Sequence, residues 1–337
     1  MDSNFQINKP FIIAEMSGNH NQSLERALEI VNVAALTGVN AIKLQTYTAD
    51  TMTLPGVYTI DDPKSLWHGR DLYDLYQEAH TPWEWHSAIY KRAKEKGLIC
   101  FSTPFDETAV DFLEELNNPI YKIASFEVNH IPLLKKVAQT GKPVIMSIGA
   151  STLAEIEEAV QTLRENGCVD LTLLKCTSTY PASPENTNLL TIPHLQQLFD
   201  CKVGLSDHTL GIGVAVASVA LGACIIEKHF CLSRAEGGVD SAFSMEPQEM
   251  KLLVEEANRA YLSLGKVSYG ILDAEKGSRM FKRSIYAAKD IKIGEVFTKN
   301  NLKVIRPSLG LHPRDYERIQ GLPARDNFET GEPINNG

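Results

Sequence analysis

The chain of 337 residues lacks the features that would place it in a membrane, in a secretory pathway or on nucleic acid. No apolar run is long enough to span a bilayer, and the N-terminus lacks the basic start and apolar core of a signal peptide. The formal net charge is −9, and no long basic run offsets it. These properties argue against nucleic acid and anionic membranes as partners, so an anionic substrate would need a local cationic pocket.

Cysteine is also sparse, with six residues in the chain. They are scattered, lie mostly inside apolar segments, and show neither the CxxC spacing of a zinc site nor a disulfide framework. Such cysteines are typical of reduced core residues, which predicts a cytoplasmic protein. The apolar content of 43% is sufficient for a substantial buried core.

Short β-rich runs alternate with amphipathic helical runs from Phe11 onward. Several of the strands are continuous apolar runs, as expected for parallel strands that are covered on both faces. The clearest helices, Ser23–Leu36 and Thr152–Leu163, each begin at a predicted Ser or Thr N-cap. Eight βα units in about 250 residues favour a (β/α)8 TIM barrel. A doubly wound open sheet is the alternative, but no Gly-rich dinucleotide fingerprint follows the first strand. The predicted strands are Phe11–Glu15, Ala41–Thr46, Leu98–Thr103, Ile120–Ser125, Val144–Ile148, Leu171–Thr177, Lys202–Asp207 and Ile225–Phe230.

The chain is predicted to contain two domains. Residues 1–265 form the TIM-barrel domain, and residues 282–337 form a small β-rich module with short strands and no long helix. The segment 266–281 reads as a linker between them. A module of this size is marginal alone by its surface-to-volume ratio, so we expect it to dock on something larger.

A long insertion, Asp50–Thr81, follows the second predicted strand and is rich in Tyr, Asp and Trp. The loops that follow barrel strands emerge on the active-site face, so the insertion is expected there. Packing of its aromatic side chains on the barrel rim is the alternative interpretation, and the two are compatible.

Two histidines follow neighbouring strands near the end of the predicted barrel. His208 ends the seventh strand beside Ser206, and His229 ends the eighth strand beside Glu227. Parallel strands joined by one helix end on the same side, so the two imidazoles should lie close together. Either histidine alone would be read as a hydrogen-bonded strand end. The pair, with Ser206 and Glu227 alongside, favours half of a divalent-metal site.

Polar residues occupy the C-terminal end of nearly every predicted strand, where packing alone would favour branched apolar residues. Two of them are lysines, and the set also offers hydroxyl groups, as a site for a phosphate or carboxylate requires. The pattern therefore predicts a mouth that holds an anion and a divalent metal with open coordination positions. In chain order these residues are Glu15, Lys43, Gln45, Thr103, Lys122, Ser125, Ser147, Thr177, Ser178, Tyr180, Ser206, His208, Glu227 and His229.

Seven motifs in a fixed order resemble the sialic acid synthase family, and the resemblance covers almost the whole chain. They are FIIAE with NHNQS, IKLQTY, STPFD, YKIAS, KCTSTYP, GLSDHT and IEKHF. The C-terminal module resembles the antifreeze-like (SAF) domain of that family. The segment LWHGRDLYDLYQEAHTPWEWH is more similar to the pseudaminic acid branch than to the N-acetylneuraminate or legionaminate branches. The resemblance implies a transferase that condenses phosphoenolpyruvate with 2,4-diacetamido-2,4,6-trideoxy-altrose, with phosphate release.

The resemblance also implies roles for individual residues. His208 and His229 match the family's metal ligands, with Mn²⁺ the expected ion and Mg²⁺ or Co²⁺ as alternatives. Glu15 and Glu227 match positions that handle protons, and Arg306 matches an arginine that reaches the sugar bound to the neighbouring subunit of a domain-swapped homodimer. The residues that match the phosphoenolpyruvate cradle are Lys43, Thr103, Lys122, Ser125, Ser147 and Ser206; those near the sugar are Gln45, Ser178, Tyr180 and Asp240. Two positions depart from the family: Ser178 replaces a common Asn, and Ile148 a usual Thr.

Three other functions remain open from the sequence. Another N-acetylated sugar would make the enzyme an N-acetylneuraminate or legionaminate synthase. Lys175, near the end of the sixth strand, could instead form the imine of a Schiff-base pyruvate aldolase. A non-catalytic scaffold that carries a binding module is the third, but a scaffold does not require a ring of polar strand ends.

Overall fold

A computed structural model describes residues 9–335, so the outer limits of both predicted domains lie outside the described range. The chain separates into two compact units, and the division falls between Gly265 and Lys266. Each unit is described by itself below.

The first unit is a closed barrel of eight parallel strands in sequential order, which confirms the predicted TIM-barrel fold. The last strand, β8 (Ile225–His229), closes the barrel on the first, β1 (Phe11–Glu15), with Phe11 opposite Ile225 and Glu15 opposite His229. The predicted and observed strands differ by two residues or fewer at either end. β4 ends two residues early because Ser125 begins a 3-10 turn. The strands are β1 Phe11–Glu15, β2 Ala41–Thr46, β3 Ile99–Pro104, β4 Tyr121–Ile123, β5 Val144–Ser147, β6 Leu171–Cys176, β7 Lys202–Ser206 and β8 Ile225–His229.

Helices cover the outside of the barrel. The N-cap hydroxyls of Ser23 and Thr152 accept hydrogen bonds from the main chain of the first turn, as the sequence pattern predicts. The predicted insertion carries a helix, α3 (Leu72–Ala79), that the sequence did not indicate. No helix among residues 9–335 is long and apolar enough to cross a membrane. The helices of this unit are α1 Leu24–Thr37, α2 Ala49–Met52, α3 Leu72–Ala79, α4 His86–Glu95, α5 Glu107–Glu115, α6 Ile131–Gln139, α7 Leu153–Glu165, α8 Thr191–Phe199, α9 Gly213–Ala220 and α10 Pro247–Leu264.

The interior of the barrel is filled in two layers, because every second residue of a strand points inward. The lower layer is apolar and contains Phe11, Ile13, Ala41, Phe101, Ile120, Ile145, Leu174 and Ile225. Two residues further along each strand, the side chains become polar or ionisable. This upper layer consists of Glu15, Lys43, Thr103, Lys122, Ser147, Cys176, Ser206 and Glu227. Strand alternation alone therefore carries eight such side chains to one end of the barrel.

Gly204 occupies the lower-layer position of β7. A Cβ atom at this position would lie 2.4 Å from the carbonyl oxygen of Ile225 and 2.7 Å from the Leu174 side chain. Only glycine fits this close approach of two strands, and it lets Ser206 sit level with Glu227 on the neighbouring strand.

A buried ion pair joins the ends of β7 and β8 on the face that points away from the barrel interior. The Lys228 ammonium lies 2.8 Å from the Asp207 carboxylate and donates to the carbonyl oxygens of Thr209 and Gly211. Both charged side chains are 1% exposed. Asp207 also accepts hydrogen bonds from the amide and hydroxyl of Thr209. Every charged group is thus paired, as burial requires.

We expect Lys228→Met to lower the free energy of unfolding by about 3–5 kcal/mol, because it leaves the Asp207 carboxylate buried without its cation. Urea unfolding followed by tryptophan fluorescence measures this change, since all three tryptophans lie in the barrel unit. The matched control is Lys136→Met, which breaks a solvent-exposed pair with Asp111 and should cost about 1 kcal/mol or less. Equal losses of unfolding free energy in the two variants would contradict a special contribution of the buried Lys228–Asp207 pair.

The second unit has a small core of its own. β9 (Ser284–Ala287) and β10 (Leu302–Ile305) pair antiparallel, and α11 (Tyr316–Ile319) follows them. Its core is formed by Ile285, Ala287, Ile291, Phe297, Leu302, Ile319, Ala324, Phe328 and Ile334. This agrees with the predicted β-rich module with short strands and no long helix.

Candidate active site

The upper layer of the barrel lines a cavity of about 60 Å³ that opens to solvent. Twelve of the fifteen residues to which the family resemblance assigns roles line this one cavity, together with Phe105, Ala124 and Cys176; Thr177, also predicted at the mouth, is not among the lining residues. The twelve are Glu15, Lys43, Gln45, Thr103, Lys122, Ser125, Ser147, Tyr180, Ser206, His208, Glu227 and His229.

One side of the cavity contains an ion pair between β1 and β2. The Lys43 ammonium lies 2.6 Å from Glu15 Oε2 and donates to the Thr103 hydroxyl at 3.0 Å. Gln45 donates its side-chain amide to Glu15 Oε1 at 3.0 Å. Lys43 and Glu15 are both buried, and the carboxylates of Glu15 and Glu227 raise the pKa of Lys43 although burial alone would lower it.

The cavity contains a second cation on β4 and a second carboxylate on β8, the strand next to β1. The Lys122 ammonium donates to the Ser147 hydroxyl at 2.6 Å and lies 3.7 Å from Glu227 Oε1. The Ser206 hydroxyl donates to the same carboxylate at 3.2 Å. Burial lowers the pKa of Lys122. The cavity thus offers two ammonium groups and several hydroxyls to an anion.

The pKa values of the two carboxyl groups are shifted in opposite directions. Burial, together with the charge of Glu227, raises the pKa of Glu15. Burial acts in the same direction on Glu227, but the ammonium groups of Lys122 and Lys43 outweigh it and lower the pKa of that carboxyl group. Glu15 therefore holds a proton more readily, and Glu227 stays ionised. Paired carboxyl groups that differ in this way are suited to acid and base roles.

The two predicted metal-binding histidines face each other at the mouth, with ring centroids 5.4 Å apart. His208 Nδ1 lies 3.0 Å from the carbonyl oxygen of Thr177. A carbonyl can only accept, so Nδ1 carries the proton and Nε2 of the neutral ring is free to bind a ligand. His229 Nδ1 is buried without a hydrogen-bond partner among residues 9–335.

These rings fit a divalent metal that is held by two protein ligands and leaves positions open for substrate. Burial and the charges of His208 and the nearby lysines lower the pKa of His229 far below its usual value, so its ring is neutral as a metal ligand must be. Within residues 9–335, no cluster of three or more His, Cys, Asp and Glu side chains is arranged to hold a metal. The remaining ligands would therefore come from water or substrate.

Comparison with known proteins connects this cavity to a family. Residues 30–269 match the model of the NeuB family, and residues 282–336 match the model of the SAF domain. The chain belongs to the NeuB family. This membership confirms the predicted resemblance to the sialic acid synthases and the predicted SAF module.

Two relatives from Campylobacter jejuni and one solved structure are similar to this chain over most of its length. The pseudaminic acid synthase of that bacterium is 43% identical over 98% of this chain and 96% of the relative. Its N,N'-diacetyllegionaminic acid synthase is 36% identical over 97% of this chain and 99% of the relative. The crystal structure of an N-acetylneuraminic acid synthetase from Leptospira borgpetersenii in complex with citrate has a TM-score of 0.72 at 33% identity, covering 81% of this chain and 90% of that one.

Three predicted site residues of this NeuB-family chain lie outside the cavity lining. The Ser178 hydroxyl lies 3.7 Å from the thiol of Cys176, which does line the cavity. Asp240 is buried in the loop after β8, where it accepts a short hydrogen bond from the Ser17 hydroxyl. Arg306 belongs to the second unit and has an exposed side chain.

Lys175, the candidate imine lysine, lies at a position of β6 whose side chain points away from the barrel interior. Leu174 and Cys176 point into the barrel, whereas the Lys175 ammonium donates to the carbonyl oxygen of Cys176 at 2.8 Å. It is absent from the described cavity lining, so the geometry gives no support to a Schiff-base mechanism.

The sequence analysis missed one ionisable group that lines the cavity, Cys176, and one that interacts with the charge of Lys122, Glu127. Cys176 was read as a core residue, but it lines the cavity with its thiol 3.9 Å from His208 Nδ1. Glu127 lies in the turn after β4, where burial raises its pKa to about 7 against the opposing charge of Lys122. The alternation of β6 could have identified Cys176, because it follows the inward-pointing Leu174 by two residues. No sequence pattern marks Glu127.

Proposed function

We propose that the chain is a pseudaminic acid synthase. In the proposed reaction, carbon 3 of phosphoenolpyruvate bonds to the aldehyde carbon of 2,4-diacetamido-2,4,6-trideoxy-altrose. Water adds to carbon 2, and phosphate leaves with cleavage of the carbon–oxygen bond. The observation that carries the proposal is the convergence of two lysines, two carboxyl groups and two imidazoles on one barrel mouth. Greater similarity to the pseudaminic acid synthase than to the legionaminic acid synthase of one bacterium supports the choice of sugar.

The charge balance of the cavity supports an anionic substrate that binds together with a cation. Lys43 and Lys122 balance Glu15 and Glu227, and all four side chains are buried. A trianion such as phosphoenolpyruvate would therefore add uncompensated negative charge beside these buried side chains. We propose that a divalent metal, preferentially Mn²⁺, and a proton on Glu15 compensate for this charge.

The residues around the two substrates have distinct proposed roles. Lys43 and Lys122 bind the phosphate and carboxylate of phosphoenolpyruvate with the hydroxyls of Thr103, Ser125, Ser147 and Ser206. A divalent metal bound by His208 and His229 would polarise the aldehyde oxygen as a Lewis acid. Gln45 and Tyr180 line the sugar side of the cavity, where Ser178 and Asp240 position the surrounding loops.

The opposite pKa shifts of Glu15 and Glu227 support different proton-transfer roles for the two carboxyl groups. Glu15, whose pKa is raised, gives its proton to the oxygen that becomes negatively charged as the carbon–carbon bond forms. Glu227 remains ionised between the two lysines and orients or deprotonates the water that adds to carbon 2. The sequence alone left this assignment open.

A phosphate-release assay tests the proposed function. The protein is incubated with phosphoenolpyruvate, one divalent metal at a time and a panel of sugars that includes 2,4-diacetamido-2,4,6-trideoxy-altrose and N-acetylmannosamine. We expect metal-dependent phosphate release with the trideoxy sugar at the highest kcat/KM. Higher efficiency with N-acetylmannosamine would indicate an N-acetylneuraminate synthase, and release with no sugar dependence would refute a synthase.

We expect Lys122→Met to raise the KM for phosphoenolpyruvate about 10–100-fold, because charge-assisted hydrogen bonds to a buried anion are lost. Steady-state kinetics with the sugar at saturation measures this change. Lys175→Met is the matched control, since its ammonium binds a main-chain carbonyl outside the cavity lining and the KM should change less than about threefold. A larger effect of the control variant would revive the Schiff-base alternative.

We also propose that the protein acts as a domain-swapped homodimer in the cytoplasm. The segment after α10 exposes apolar side chains at Val267 (88%), Tyr269 (98%) and Leu272 (57%), which supports burial against a second chain. The exposed Arg306 is suited to contact a sugar that is bound by the partner. Six free thiols support a reducing compartment.

We expect Val267→Asp to convert the dimer to a monomer, because a buried unpaired charge opposes association. Light scattering across a concentration series measures the molecular mass. Val169→Asp is the control, since Val169 is equally apolar and exposed (86%) but lies in the barrel unit. A wild-type protein that is monomeric and fully active would contradict the proposed dimer.

A further inference from the structure

A chain of hydrogen bonds runs from the loop after β8 to the proposed acid, Glu15. The Ser17 hydroxyl donates to Asp240 Oδ2, which also accepts from the amide of Gly18 at 3.5 Å. Ser17 in turn accepts from the side-chain nitrogen of Gln45 at 3.1 Å, and the same nitrogen donates to Glu15 Oε1 at 3.0 Å. Ser17 is buried and is absent from the described cavity lining, whereas Gln45 belongs to it.

The direction of these bonds determines how the Gln45 side chain is turned. A hydroxyl carries one proton, and the Ser17 proton points to Asp240, so Ser17 can only accept from Gln45. A primary amide has two N–H groups, and Ser17 and Glu15 take both of them. Among the hydrogen bonds of residues 9–335, none reaches the Gln45 carbonyl oxygen, so this oxygen is the atom that the side chain offers to a ligand in the cavity.

The backbone of Ser17 supports a role for its hydroxyl. Ser17 lies two residues after the end of β1 and has a φ of +48°, in the left-handed region that favours glycine. A side chain in this conformation costs free energy, and such residues cluster at functional sites. The hydroxyl and its two hydrogen bonds are what serine provides here that glycine lacks.

A carbonyl oxygen discriminates between the two proposed substrates, because it accepts hydrogen bonds and cannot donate them. The carboxylate and phosphate oxygens of phosphoenolpyruvate are acceptors, so this substrate gains no hydrogen bond from Gln45. An N-acetylated sugar carries hydroxyl and amide N–H groups, which are donors. The chemistry of the Gln45 oxygen therefore matches the sugar.

We propose that Ser17 is a positioning residue that holds the Gln45 carbonyl oxygen toward a hydroxyl or N–H donor of the sugar. The inference rests on the proposed function and adds a residue and a recognition chemistry to the same site. Without the Ser17 hydroxyl, one of the two bonds that hold the amide is lost, and the side chain presents its oxygen to the sugar for a smaller fraction of the time.

Steady-state kinetics of Ser17→Ala tests this role, with phosphate release as the readout and the sugar that the wild type uses most efficiently. Alanine carries the same left-handed strain as serine, so the substitution removes only the hydroxyl. The KM for the sugar should rise about 3–10-fold, the value of one neutral hydrogen bond, while kcat and the KM for phosphoenolpyruvate change less than about twofold. Equal rises in both KM values would overturn the inference. So would a fall in kcat with an unchanged KM for the sugar, which would assign the Gln45 oxygen to the water that adds to carbon 2.

A double-mutant cycle shows whether Ser17 acts through Gln45. Gln45→Ala removes the carbonyl oxygen and should raise the KM for the sugar at least as much as Ser17→Ala does. Adding Ser17→Ala to that variant should then change the KM less than about twofold, because the residue that it positions is already gone. A full additional effect in the double variant would contradict the proposed coupling.

Two further variants separate this role from folding. Ser218→Ala is the matched control, since its hydroxyl is also buried but donates to the carbonyl oxygen of Ala215 in α9, outside the described cavity lining, and both KM values should stay unchanged. Ser17→Gly repeats the kinetic test if Ser17→Ala does not fold, because glycine adopts the left-handed conformation without strain. Phosphate release by the wild type without any sugar would refute the proposed function itself. Sugar-dependent release with an unchanged KM in the Ser17 variants would refute only the role of Ser17.

Discussion

His229→Ala should lower metal-dependent turnover about 1,000-fold or more. The substitution removes one of only two imidazoles that the described cavity offers to a metal, and Lewis-acid catalysis contributes several kcal/mol. Calorimetric titration with Mn²⁺ gives a readout that is independent of turnover and should show the loss of metal binding. Normal activity in this variant without added metal would refute the assignment.

An exposed histidine provides the control for this experiment. His194 lies on α8, outside the cavity, so His194→Ala should leave both metal binding and turnover unchanged. The wild-type protein should also lose metal affinity as the pH falls, because a proton and the metal compete for the free nitrogen of His208. Burial lowers the pKa of His208, but the hydrogen bond and charge of Cys176 raise it above its usual value, so this competition should begin at a higher pH than for an ordinary histidine.

Substitution of the two carboxyl groups should give different pH profiles. Glu227→Gln should lower kcat about 100–10,000-fold across the pH range, because the amide cannot accept a proton from water. Glu15→Gln should cost a similar factor at low pH and should also remove the alkaline limb of the profile. The sign follows from the raised pKa of Glu15: it donates a proton below that pKa and loses this ability as the pH rises through it.

Measurements of kcat against pH for both variants and the wild type test this division of roles. Asp106→Asn is a suitable control, because this acidic residue lies near the cavity end of β3 but its carboxylate caps α5 through the main chain of Thr108 and Ala109. It should change stability but leave the shape of the profile intact. An alkaline limb that persists in Glu15→Gln and vanishes in Glu227→Gln would reverse the assignment.

Much of the barrel and its cavity could be predicted because strand alternation fixes both. In β2, Ala41 lies in the apolar lower layer of the interior. Lys43 and Gln45 follow it at two-residue spacing, so their side chains point into the same interior. The parallel direction of the strands then places these side chains beside those of the neighbouring strands. Only the bounds of the short β4 differed by more than one residue.

The features that were missed depend on contacts between distant segments. Trp67 appeared in the sequence as one aromatic residue of a polar insertion, and its direction is set by Val239, 172 residues away. The raised pKa of Glu127 depends on burial that its local sequence, SFEVN, does not indicate. Helix α3 was missed because its segment, LYDLYQEA, was read with the irregular residues that precede it.

The buried ion pair between Lys228 and Asp207 connects the stability of the barrel with the geometry of the proposed metal site. Each partner is the immediate neighbour of an imidazole, Lys228 of His229 and Asp207 of His208, and alternation turns the two members of each dipeptide to opposite faces. We therefore expect substitutions that displace this ion pair to change the spacing of the two rings as well, and so to alter thermal stability and the proposed metal affinity together.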